Sequence, residues 1–196
     1  MHGMLRSCTN WTGLHALAFF ILAAVPAQAQ DSGKAPLSGW EVKGGLLLHD
    51  AGLFSAAEEQ GFDVNGEILF PSPPVLGFLG APRPHMGASI ASEGISQIYG
   101  GLTWDYQFGK EDAFFLTGAF GGAIHNADEL DPPKGRELDG DRYLGCQTLF
   151  RLAAGVGYNV SEQVNVQFYM DHISNGTLCD SNEGLENSGL RMGYKF

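Results

Sequence analysis

From Trp40 to the final Phe196, apolar and aromatic side chains return at every second position in about eight separate runs, and no long window carries a helical period. Side chains of a β-strand alternate between two faces, so each run reads as a strand with one apolar and one polar side. Ser96 to Phe108 is the clearest. There Ile98, Leu102, Trp104, Tyr106 and Phe108 alternate with Gln97, Tyr99, Thr103, Asp105 and Gln107. The other runs are Trp40 to Asp50, Phe62 to Phe70, a weak one at His85 to Ala91, Ala113 to Asn126, Cys146 to Val160, Val164 to Ser174 and Glu186 to Phe196. The apolar and aromatic residues that mark the runs fall on even numbers, and the odd set is mostly polar or small.

A narrow interior of charged pairs and glycine inside an apolar, aromatic wall is a small barrel turned inside out. The expected fold is therefore all-β: an eight-stranded antiparallel transmembrane β-barrel. A soluble sandwich or lipocalin would bury the apolar face instead. Aromatic residues gather at strand ends (Trp40, Phe70, Trp104, Tyr158, Tyr194 and Phe196 among them), as interfacial girdles do. With both chain ends in the periplasm, the connections Pro71 to Pro84, Gly109 to Asp112 and Ser161 to Gln163 fall on that side. The segments Ala51 to Gln60, Ala127 to Asp141 and Asn175 to Leu185 become outer loops. The middle one is acidic, with Asp128, Glu129, Asp131, Asp139 and Asp141.

The first 29 residues read as a signal peptide: Arg6, an apolar Leu14 to Val25, then the small-x-small site Ala27-Gln28-Ala29. Residues 30–196 form the barrel domain. Export without a helical anchor leaves periplasm, secretion or the outer membrane. The chain carries 11 basic against 22 acidic residues, a net charge of −11, and loss of Arg6 makes it one unit more negative. This balance argues against nucleic acid as a partner, because phosphodiester binding needs clustered Lys and Arg. Cys146 and Cys179 remain after cleavage, a pair for which a disulfide is plausible in an oxidising compartment, though spacing alone leaves the bridge open.

The last two strands carry the chemistry. His172 and Ser174 share the even face with Val166, Phe168 and Met170, and Glu186 shares it with Leu190, Met192 and Tyr194. Pairing Ser174 opposite Glu186 would set His172 opposite Ser188 and diagonal to Glu186, within side-chain reach. A serine hydroxyl becomes a nucleophile when a base takes its proton, and an imidazole does that best when a carboxylate fixes its tautomer. Asn175 and Gly176 follow at a strand-to-loop bend, where an amide and a backbone N–H could stabilise an oxyanion. The competing explanation is a merely polar rim where membrane gives way to loop. Glu183 competes with Glu186 as the acid. Asp171, facing inward, pairs more naturally with Arg151 or Arg191, and His49, His85 and His125 are interior hydrogen-bonding residues rather than metal ligands.

His172-Ile173-Ser174-Asn175-Gly176, then Asn182 to Arg191 and a terminal aromatic strand, resembles the outer-membrane lipid A 3-O-deacylases, the PagL family. The spacing fits: His and Ser two apart, the acid fourteen past the His. The resemblance implies Ser174 as nucleophile, His172 as base and Glu186 as its orienter, with Asn175 and Gly176 at the oxyanion position. It implies hydrolysis of the 3-linked acyl ester of lipid A in the outer leaflet, without metal or cofactor. The partners it implies are lipopolysaccharide and the surrounding lipids; pairing with a second copy stays open. The Cys146/Cys179 pair and the acidic loop depart from the motif. Two rivals remain: a non-catalytic barrel binding partners through its outer loops, and a phospholipase or acyltransferase using the same face.

Overall fold

The computed structural model describes residues 39–53, 60–128, 130–132 and 142–196. The expected signal peptide, most of the acidic loop and part of the first loop lie outside the described residues. Eight antiparallel strands close into one barrel in chain order: β1 (Glu41–Leu48), β2 (Phe62–Leu69), β3 (Arg83–Ala91), β4 (Gln97–Phe108), β5 (Phe114–His125), β6 (Thr148–Asn159), β7 (Val164–Ser174) and β8 (Leu185–Lys195). β8 pairs back to β1, with Leu46 opposite Leu190, so no strand edge is left open.

Alternation decides which way each side chain points. Leu46, Val64, Ile98, Phe120, Phe168 and Leu190 stand exposed on the outer wall, while their odd neighbours are buried or half-buried. The interior is packed and polar. Arg151 donates to Tyr169 Oη at 2.6 Å and Asp171 Oδ2 at 2.8 Å, and stacks 3.5 Å from the Tyr99 ring centre. Arg191 reaches Asn65, Glu67 and Gln167 and stacks 3.5 Å from the Tyr169 ring. Glu41 accepts from Arg83 at 2.6 Å and Asn165 at 2.8 Å. Buried charges survive only with partners of this kind, and Asp171 finds Arg151 as expected. The three interior histidines also have partners: His49 with Asp63 at 2.7 Å, His85 with Thr103 at 2.8 Å, His125 with the Cys146 carbonyl at 2.7 Å.

The Pro71 to Pro84 connection contains a 3-10 turn, Pro74–Leu79, whose Leu79 carbonyl accepts the Trp104 indole N–H at 2.9 Å. At the opposite end the chain returns from the β5–β6 loop through Arg142 to Cys146. Leu144 there plugs the barrel mouth among Ile95, Tyr99, Ala123, Leu149, Ile173 and Leu185. That loop end is where the candidate site sits.

Candidate active site

β7 runs up the outer wall and stops at Ser174, leaving His172 and Ser174 as its last two outward residues. The registry of β7 against β8 differs from the expected one by two residues. His172 lies directly opposite Glu186, Met170 opposite Ser188, and the ladder ends at Ile173 and Leu185. A slip of one residue would have turned every side chain inside out, but a slip of two keeps each on its face, so alternation alone could not detect it. The interior sets the register. Tyr169 faces Gly189 and Asn165 faces Gly193, which leaves room for the Arg191 guanidinium over the Tyr169 ring.

The observed register improves the geometry. His172 Nδ1 and Glu186 Oε1 are 3.1 Å apart. The carboxylate is 3% exposed and the imidazole 34%, so a buried acid backs a ring that reaches the surface. A carboxylate on Nδ1 fixes the tautomer that leaves Nε2 as the acceptor. Ser174 stands two residues further along the same face, roughly 7 Å away by strand rise. Among the described residues the structure joins His172 to Glu186 but places no hydrogen bond between Ser174 Oγ and the imidazole. Catalytic contacts of this kind often tighten only around substrate.

Apolar surface flanks the hydroxyl on both sides. Phe168 and the half-buried Met170 lie below it on β7. On the β6 side Ser174 pairs with Phe150, and a cleft of about 360 Å³ is lined by Phe120, Phe150, Leu178 and Asn175. Phe120 and Phe150 are stacked with ring centres 6.4 Å apart.

The loop past Ser174 is tied down along its length. Asn175 is buried; its side-chain amide donates to the carbonyls of Leu144, at 2.8 Å, and Ser181. Its backbone N–H donates to Asn182 Oδ1 at 2.9 Å. Gly176 then turns the chain at a φ of +63° on the exposed rim, its α-carbon facing the Phe150 ring. Cys146 and Cys179 form a disulfide, Cα atoms 6.0 Å apart, joining this loop to the mouth of β6. Glu183, the competing acid, instead accepts the Tyr143 N–H at 2.6 Å.

Sequence reasoning missed two neighbours of the pair. A methyl on Gly184 would come 2.9 Å from His172 Cε1, and one on Gly52 would run into Glu186 Oε2 and stand 2.7 Å from its Cβ. It also missed the buried pair of Arg142 and Asp50 at 2.7 Å, which joins two loops that the alternation says nothing about. A positive φ at Gly184 lay inside the motif but has no signature beyond the glycine itself.

A family model described as lipid A 3-O-deacylase (PagL) matches residues 80–195, more than half of the chain. Among solved structures, the outer membrane enzyme PagL aligns at a TM-score of 0.58 with 16% identity, covering 80% of this chain and 99% of that one. The N-terminal β-barrel domain of Pseudomonas aeruginosa OprF aligns at 0.51 with 14% identity, covering 81% and 98%. Neisserial surface protein A aligns at 0.51 with 14% identity and the same coverage. At such identities the likenesses speak for the fold. No curated protein sequence matches significantly. The molecule is an outer-membrane β-barrel. By the family match the chain belongs to the lipid A 3-O-deacylase (PagL) family.

Proposed function

We propose that this barrel is a serine esterase that hydrolyses the 3-linked acyl ester of lipid A, with Ser174, His172 and Glu186 as its triad and the loop end facing the outer leaflet. The observation that carries the reading is the 3.1 Å contact of His172 with a buried Glu186 on an apolar outer wall, two residues from a serine. The family match supplies the substrate class.

In this mechanism His172 Nε2 takes the Ser174 proton as Oγ attacks the ester carbonyl. Glu186 holds the Nδ1–H and offsets the imidazolium charge that forms. The carbonyl oxygen becomes an oxyanion at the bend of Asn175 and Gly176. The Gly176 N–H is the donor offered there, and Asn175, whose amide is committed to Leu144 and Ser181, shapes the bend. One such donor is worth about 3–4 kcal/mol in the transition state. Collapse breaks the ester C–O bond, and His172 returns the proton to the leaving sugar hydroxyl. Water then attacks the acyl-serine with His172 as base, releasing a free fatty acid and restoring Ser174. The acyl chain lies on apolar wall throughout, against Phe168 and Met170 or in the Phe120–Phe150 cleft.

Mass spectrometry of lipid A and phospholipids from cells expressing the protein or its Ser174→Ala variant tests this. The expected result is loss of one 3-linked acyl chain with the native protein and none with the variant. Unaltered lipid A would favour a partner-binding barrel, and cleaved phospholipids a phospholipase. Either result overturns the proposal.

A further inference from the structure

The triad accounts for His172 and Glu186 but leaves a buried charge pair above them with no assigned role. Arg142 grips Asp50 through three contacts: Nε to Oδ2 at 3.0 Å, Nη2 to Oδ1 at 2.8 Å and Nη2 to Oδ2 at 2.7 Å. Its Nη1 donates to the Glu183 carbonyl at 3.3 Å. One guanidinium therefore joins three segments: the start of the β1–β2 loop, the return of the β5–β6 loop and the approach to β8. Both charged side chains are almost wholly buried. Asp50 is held in a left-handed backbone conformation, φ 47°, a shape that persists where surroundings over-determine it.

Each end of this clamp leads to one member of the histidine–carboxylate pair. Asp50 is two residues before Gly52, which packs directly on the Glu186 carboxylate. The Asp50 N–H also donates to Asn187 Oδ1 at 3.2 Å, fixing the residue after Glu186. At the other end, the Glu183 carbonyl precedes Gly184, whose α-carbon abuts the His172 ring. Glu183 is locked a second time, exchanging hydrogen bonds with Tyr143: it accepts at 2.6 Å and donates at 3.3 Å. The imidazole and the carboxylate each abut a glycine, and Arg142 bonds to residues one or two positions before each of those glycines.

We infer that Arg142 and Asp50 are positioning residues for the reaction, a clamp that presses Gly52 onto Glu186 and Gly184 onto His172 so that the pair keeps its working geometry. This rests on the triad reading above. Neither residue touches the reacting atoms. Their effect passes through the two glycines, so it falls on the chemical step and not on lipid binding. A displacement of about 1 Å at a general base costs roughly a hundredfold in rate.

The test uses purified full-length barrel refolded in detergent, as native protein and as Asp50→Leu/Arg142→Met, Asp50→Asn, Gly52→Ala and Ser174→Ala variants. The double variant removes both charges together, so neither is left buried alone. Gly52→Ala leaves the ion pair intact and places a methyl against Glu186 from an exposed loop position. Three readouts are taken: kcat and KM for fatty-acid release from lipid A, the rate at which a fluorophosphonate labels Ser174, and the heat-dependent gel shift of the folded barrel. The inference expects kcat to fall at least about tenfold, with KM within about twofold of native. It expects labelling to slow by the same factor and the gel shift to persist. If the double variant fails to fold, Asp50→Asn decides in its place, since asparagine tolerates the left-handed turn while loosening the grip of Arg142. Native kcat and labelling rates, or a raised KM with kcat unchanged, would overturn the clamp. Fatty-acid release by Ser174→Ala would instead overturn the triad reading, and the clamp with it.

Discussion

His172 is constrained twice: Glu186 Oε1 lies 3.1 Å from Nδ1, and Gly184 packs against Cε1, between the two ring nitrogens. The first contact sets the tautomer and the second the tilt. Glu186→Gln keeps the shape but removes the charge, and it allows the ring to hold the wrong tautomer. Its expected effect is a loss of kcat of about 10²–10⁴-fold with folding unchanged, checked by fatty-acid release and the heat-dependent gel shift. Gly184→Ala adds a methyl 2.9 Å from Cε1 at a backbone φ of +70°. Steady-state kinetics on lipid A should show kcat falling while KM holds, and an unchanged kcat would remove Gly184 from the account. Glu183, spent on the Tyr143 N–H, tolerates Gln without loss of the triad geometry.

Elements β7 and β8 bring the motif together, but their exact pairing was not legible. Alternation assigned His172, Ser174 and Glu186 to one face, and all three keep the expected parity. Which residue stands opposite which was fixed by inward packing, Tyr169 over Gly189 and Arg191 against Gln167, and side-chain periodicity does not encode that. β6 was recognised only as a strand, yet it brings Phe150 beside Ser174. If the acyl chain lies in the cleft on that side, Phe150→Ala raises KM for lipid A about tenfold with kcat little changed, whereas Phe168→Ala leaves KM near native. The reverse pattern would place the chain on β7. The Cys146–Cys179 bridge closes a 33-residue separation across β6 and β7, anchoring the loop past Ser174. Replacing both cysteines with serine should leave the barrel folded while exposing residues 175–183 to protease, read by limited digestion.

For the whole molecule, the sequence disclosed an inside-out barrel because membrane and packed interior impose opposite polarity on alternate residues. Strand bounds followed to within a residue or two, as at Gln97–Phe108. Loop-to-loop contacts did not. Asp50 and Arg142 are 92 residues apart, and nothing local marks them as partners. The interior ion pairs make the barrel sensitive to the loss of a single partner. Asp171→Ala leaves the Arg151 guanidinium buried without its carboxylate, at a cost of about 3–5 kcal/mol, whereas Asp171→Leu/Arg151→Met removes both charges and costs much less. Urea unfolding of the refolded barrels separates the two outcomes. Such a variant acts on folding throughout the cylinder, unlike Gly184→Ala, which acts at one ring.

The most direct measurement is to treat the native barrel, in lipopolysaccharide-containing micelles, with a fluorophosphonate and locate the adduct by peptide mass spectrometry. One phosphonylated residue is expected, Ser174, with lipid A deacylation lost in step and labelling abolished by His172→Ala. Deacylation that survives full labelling of Ser174, or an adduct on a different residue that tracks the loss of activity, would contradict it.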